Sequence, residues 1–105
     1  MEASAVHFAA VARTLGEAAR ARGLVVPAFR SPPRRPGASR TLRRWPDGGA
    51  TVSVEVSGRP REAVVADMVE GLVVANGVTG PDATRLRTTL WEAVLAASSR
   101  AAEAA

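Results

Sequence analysis

A proline-rich segment, residues 27–38, most constrains what this chain of 105 residues can fold into. It holds four of the seven prolines together with Gly37. A proline inside a helix removes a backbone donor and clashes with the preceding turn, and a proline in a central strand removes a ladder hydrogen bond. We therefore predict that residues 27–38 form an extended surface arm, which separates a helix before it from the structure after it.

The residues before the arm predict a helix over 4–22. Phe8, Val11 and Leu15 recur at three- and four-residue spacing, which places their side chains on one face. Gly23 follows, and glycine suits the left-handed position that ends many helices. This helix needs other elements against which to bury its apolar face.

The segment after the arm, residues 39–57, predicts a β-hairpin. Its second half, residues 51–56, alternates valines with polar residues, which is typical of a half-buried strand. Residues 46–49, Pro-Asp-Gly-Gly, favour a tight turn. With a type I turn and a glycine bulge, Leu42 lies opposite Val52. We expect both edges of this hairpin to be unpaired and open to a strand from a second copy.

Two further helices are predicted over residues 60–76 and 81–99. The first is apolar over most of its circumference, so it lies centrally or is shared with a second copy. Its Asp67 and Glu70 are interpreted as part of a solvated strip. The alanine-rich tail, residues 98–105, is expected to fray.

These segments predict a single small α+β domain over residues 1–105, with the order α-β-β-α-α. The hairpin must rest on the helices because two strands alone are marginally stable. The expected core comprises Phe8, Val11, Leu15, Leu42, Val52, Val54, Val56, Val65, Met68, Leu72, Leu86, Leu90 and Val94.

The positive charge is concentrated in residues 30–44. All fourteen basic residues are arginine, a composition typical of a high-GC bacterium, so codon usage accounts for part of the excess. Six arginines and no acidic residue lie in residues 30–44, whereas the rest of the chain has eight arginines and ten acidic residues. The net charge of +4 therefore comes entirely from this segment. A localised basic patch predicts an anionic partner.

The predicted partner-binding surface combines this patch with one aromatic residue. Arginine binds carboxylates and phosphates through two parallel hydrogen bonds, and an indole ring provides a stacking surface. We expect Arg43 and Trp45 to project from the outer face of the hairpin. The surface comprises Arg30, Arg34, Arg35, Arg40, Arg43, Arg44 and Trp45.

Two functions fit such a surface. The first is a non-catalytic regulatory module that binds a protein partner or a second copy of itself. The alternative is binding of DNA or RNA through the arginines and Trp45. A homodimer would use an apolar face of the last two helices, and the candidate residues are Val69, Val73, Trp91 and Leu95.

Other function classes have little support in the sequence. Cysteine is absent, which excludes disulfides and thiolate metal sites, and His7 is the single histidine. Nucleotide-binding and nucleophile motifs are missing. We therefore expect no enzyme activity, no cofactor, no metal and no small-molecule substrate. Residues 1–12 lack the basic start of an export signal, so we expect a cytoplasmic protein without a membrane partner.

The loop Gly77-Val78-Thr79-Gly80 is similar to the GxxG loop of type II KH domains, which clamps a nucleic-acid backbone. It lacks a basic residue between its glycines, and an alanine-rich tail follows where that fold has a third strand. We therefore interpret Gly77 as the end of one helix and Gly80 as the start of the next.

Overall fold

The computed structural model describes residues 1–104 as three helices and a three-stranded sheet. The elements are α1 (Ala5–Ala21), β1 (Ala28–Arg30), β2 (Arg40–Arg44), β3 (Ala50–Val54), α2 (Arg61–Ala75) and α3 (Gly80–Ala104). The α+β class and the predicted order of helix, hairpin and two helices are confirmed, with one additional strand.

Strand β1 corrects the prediction that all of residues 27–38 form an arm. It pairs in parallel with β3, with Phe29 opposite Val52, and the strand order is β1-β3-β2. Strand β3 is therefore central, and only one side of the hairpin keeps a free edge. Three residues without a proline lie between Pro27 and Ser31, which is enough for a short edge strand.

The β2–β3 hairpin has the predicted register. Leu42 lies opposite Val52, and the backbone N–H of Trp45 donates to the carbonyl of Gly49 at 2.8 Å. Gly48 adopts a φ of +91°, which glycine tolerates because it has no Cβ. The turn thus fixes which side chains of β2 face the helices.

Helix α2 lies at the centre of the fold, in contact with α1, α3, β2 and β3. This position explains its apolar circumference, and it corrects the candidate dimer face. Val69 and Val73 are 1% and 0% exposed and belong to the core of one copy, while Trp91 packs half-buried against that core. Leu95 remains 60% exposed. All thirteen residues of the expected core lie in the core or pack against it.

Asp67 is buried rather than solvated as predicted. Its Oδ1 accepts a hydrogen bond from Arg40 Nη1 at 2.8 Å, and Arg59 Nη2 lies 2.8 Å from its Oδ2. The prediction is wrong for Asp67 because β2 and the loop before α2 bring two guanidinium groups over this part of the helix. Glu70 lies half-buried beside α3, where the guanidinium of Arg87 donates to both of its carboxylate oxygens and lowers the pKa of that carboxyl.

The helix ends follow local capping chemistry. Ser4 Oγ accepts from the backbone N–H of His7 at the start of α1, and Gly77, with a φ of +66°, follows the end of α2. Helix α3 extends to Ala104, and its last turns are rich in alanine, the residue with the highest helix propensity. The expected fraying of residues 98–105 stays a prediction. Ala105 lies outside the described residues.

Within residues 1–104 no helix has both the length and the apolar character that a membrane span requires.

The contact between α2 and β3 is close enough to reverse the usual effect of replacing a helical glycine. A Cβ at Gly71 would overlap Val52 Cγ1 and lie 3.0 Å from Val52 Cγ2. Gly→Ala inside a helix normally stabilises by about 0.5–1 kcal/mol, but here we expect Gly71→Ala to destabilise by about 1–3 kcal/mol through overpacking. Urea unfolding measures the change.

The same experiment with Val52→Ala identifies the cause. We expect Val52→Ala to cost less stability in the Gly71→Ala background than alone, because the shorter side chain makes room for the new methyl group. A Gly71→Ala protein more stable than the parent would contradict this packing.

Candidate anion-binding groove

A broad groove of about 1700 Å³ lies over the outer face of the sheet, the face turned away from α2. Strands β2 and β3 form its floor. Residues of the arm, the first turns of α1 and the loop before α2 form its walls. The floor side chains are those of Thr41, Arg43, Trp45, Thr51 and Ser53, and the wall residues include Glu2, Ser4, Phe8, Arg30, Pro32, Arg34, Arg35 and Ser57.

Strand alternation decides which arginines reach this groove. Side chains of successive strand residues point to opposite faces, so Arg43 and Trp45 lie on the outer face. Arg40 and Arg44 lie on the inner face against α2, as their contacts with that helix show. Although Arg43 and Arg44 are adjacent in the sequence, Arg43 therefore lies in the groove and Arg44 contacts α2.

Arg43 and Trp45 form one unit on the groove floor. The Cζ atom of Arg43 lies 4.2 Å from the centre of the Trp45 ring, a cation–π contact. Trp45 Nε1 donates to Thr51 Oγ1 at 2.9 Å, which fixes the indole on β3. The indole thereby holds the guanidinium of Arg43 over the sheet. The same contact covers one face of the ring, which leaves less of it for stacking on a base.

Three more arginines line the groove from β1 and the arm. Arg30, Arg34 and Arg35 are exposed, and within residues 1–104 neither they nor Arg43 form a salt bridge or a side-chain hydrogen bond. Two acidic residues, Glu2 and Glu55, also line the groove, so four positive and two negative charges give it a formal charge of +2. The groove can therefore accept an anion without breaking an existing ion pair.

The other two arginines of the predicted surface have intramolecular partners. Arg44 donates to the carbonyls of Ala75 and Val74 at 2.8 and 2.9 Å, at the negative end of the α2 dipole. Arg40 binds the buried Asp67. The candidate site therefore leaves both out. The number of arginines in this segment does not show that Arg40 and Arg44 differ from Arg43. The difference depends on the register of β2, which decides the face of the sheet on which each side chain lies.

Sequence reasoning missed the contribution of the N-terminus to the groove. The backbone N–H of Ala3 donates to the carbonyl of Arg59 at 2.8 Å, and Glu2 forms a bridge with Pro60. These contacts place residues 2–5 at the groove wall, more than fifty positions from their partners in the chain. No local pattern indicates such a pairing.

The single histidine, His7, is not part of the groove. Burial together with the charge of Arg61 lowers the pKa of its imidazole. Among residues 1–104 no three His, Asp or Glu side chains lie close enough together to hold a metal ion. The groove presents guanidinium groups, two carboxylates, hydroxyls and one indole.

Arg40 is paired within the fold and Arg43 lies exposed in the groove, so we expect their replacement by alanine to change stability by different amounts although the change in charge is the same. Arg40→Ala leaves Asp67 buried with one cation, and we expect a loss of about 2 kcal/mol or more. Arg43→Ala removes one exposed cation–π contact, and we expect a loss below about 1 kcal/mol. Urea unfolding of both variants compares them directly, and equal losses would contradict this difference in pairing.

Comparison of the chain with protein-family models, with curated proteins and with solved structures found no match in any of the three.

Proposed function

We propose that this protein is a non-catalytic binding protein whose outer groove accepts an extended acidic segment of a protein partner. The observation that carries the proposal is the pairing state of the arginines. Within residues 1–104, four guanidinium groups that form no salt bridge or side-chain hydrogen bond line one groove, whereas Arg40, Arg44, Arg59 and Arg87 are engaged within the fold.

The spread of these groups favours an extended ligand. Arg43 lies on the groove floor, while Arg34 and Arg35 lie on the arm that forms a wall. A ligand that meets all three must follow the groove. Carboxylates match the fork of N–H donors on each guanidinium, and the hydroxyls of Thr41 and Ser53 offer hydrogen bonds to a peptide backbone.

Two features favour an acidic protein segment over a nucleic acid. Glu2 and Glu55 line the groove and would repel a backbone that carries a phosphate at every nucleotide. A peptide can place its acidic residues away from these two positions. In addition, Arg43 already covers one face of Trp45, so a base cannot stack directly on that face of the ring.

Nucleic-acid binding is the second candidate, and the Arg43–Trp45 pair favours it. A guanidinium held over an indole presents a flat cationic surface on which a base can stack. Single-stranded RNA or DNA would then follow the groove with its phosphates toward the arm.

Fluorescence anisotropy with labelled ligands tests the proposal at ~50 and ~200 mM salt. We expect a glutamate-rich peptide to bind, its glutamine counterpart to bind far more weakly, and the affinity to fall with salt. The variants Arg43→Ala and Arg34→Ala/Arg35→Ala should each lose about tenfold or more in affinity, since hydrogen bonds to charged groups contribute about 1.5–3 kcal/mol.

The matched control is Arg85→Ala/Arg100→Ala, which removes two exposed arginines of α3 outside the groove. It should retain the affinity of the parent protein. Tighter binding of single-stranded RNA or duplex DNA than of the peptide, with the same dependence on Arg43, would favour the second candidate. Absence of binding to every polyanion at the lower salt concentration would reject both.

A further inference from the structure

The hydrogen bonds at the two ends of the hairpin reveal which backbone groups of β2 are unused. Trp45 N–H donates to the carbonyl of Gly49 at 2.8 Å, and Glu55 N–H donates to the carbonyl of Ser39 at 2.9 Å. In an antiparallel pair, hydrogen-bonded and non-bonded residue pairs alternate. The odd-numbered residues of β2 therefore bond to β3.

The even-numbered residues of β2 point their backbone N–H and C=O groups away from β3. They are Arg40, Leu42 and Arg44. Within residues 1–104, no backbone or side-chain group forms a hydrogen bond with these backbone atoms. Strand β2 thus ends the sheet with an unsatisfied row of donors and acceptors, which is a template for another strand.

The other edge of the sheet is a poorer template. Strand β1 has three residues and lies between Pro27 and Pro32. Proline has no N–H to offer, so the two prolines limit any extension of a ladder along β1. Strand β2 has five residues and contains no proline.

The charge of β2 selects the chemistry of the added strand. On its outer face β2 carries Arg43, which forms no salt bridge within residues 1–104, whereas Arg40 and Arg44 are engaged on the inner face. A second copy of the chain would bring its own Arg43 to the same ladder without an acidic residue to match it, and like charges on neighbouring strands are destabilising. An acidic strand reverses the sign of that interaction.

We propose that an acidic, extended segment of a protein partner adds to the free edge of β2 as a fourth strand. This inference rests on the function proposed above and specifies how the partner is held. The backbone ladder contributes affinity for any extended sequence, while alternate side chains of the added strand lie beside Arg43 on the groove face. The recognised pattern is therefore acidic residues at every second position.

Amide hydrogen exchange, followed by NMR on the full chain, tests the docking mode with a peptide of alternating glutamate and valine. In the free protein the amides of Leu42 and Arg44 should exchange fast, and those of Thr41 and Arg43 slowly. With saturating peptide, Leu42 and Arg44 should slow by about tenfold or more, because the new ladder must open before they exchange. A glutamine–valine peptide at the same concentration should slow the exchange of Leu42 and Arg44 far less, because it lacks the charge that pairs with Arg43.

Each other outcome has a distinct meaning. If the acidic peptide binds by anisotropy but the amides of Leu42 and Arg44 stay unprotected, the added strand is rejected and the groove function stands. If the peptide does not bind, both proposals fail. If the two amides become protected without peptide as protein concentration rises, a second copy occupies the edge and the acidic partner is rejected.

Discussion

The buried carboxylate of Asp67, held between the guanidinium groups of Arg40 and Arg59, is the interaction on which the rest of the structure depends. It connects α2 at the centre of the fold to strand β2 and to the loop before α2. The Asp67 side chain is 12% exposed, and its carboxylate requires charged partners because an unpaired buried charge is strongly destabilising. The pairing of Asp67 with Arg40 therefore requires the same inward face of β2 that the turn of the hairpin sets.

The orientation of β2 then determines the surface. With Arg40 on the inner face, strand alternation places Arg44 at the end of α2, and Arg43 and Trp45 over the outer groove. Of the six arginines in residues 30–44, two are engaged within the fold, Arg40 by Asp67 and Arg44 by the end of α2. The other four, Arg30, Arg34, Arg35 and Arg43, form no salt bridge or side-chain hydrogen bond within residues 1–104.

Much of the fold was predictable because its signals are local. The Pro46-Asp47-Gly48-Gly49 turn fixed the register of the hairpin, the alternating valines marked the core face, and Gly77 marked the end of a helix. Strand β1 was hidden because three residues between prolines carry no periodicity, and its partner β3 lies about twenty positions away.

The errors at the candidate site share one physical origin. Each error depends on which elements cover α2. This cover decides whether Asp67 is solvated, whether Val69 and Val73 face a second copy, and whether Arg44 has a partner. An apolar helix surrounded by its own fold and one shared in a dimer have the same sequence pattern. Strand alternation alone predicted that Arg43 lies on the outer face of the hairpin. That the groove arginines form no salt bridge within residues 1–104 became visible only in the structure.

The arginines fall into two classes. The groove class is Arg30, Arg34, Arg35 and Arg43, and the paired class is Arg40, Arg44 and Arg59. NMR of the guanidinium Nε–H signals during titration with a glutamate-rich peptide distinguishes the two classes. We expect the signals of the groove class to shift and those of the paired class to stay in place. Equal shifts in both classes, or shifts confined to the paired class, would show that the groove arginines are not the binding residues.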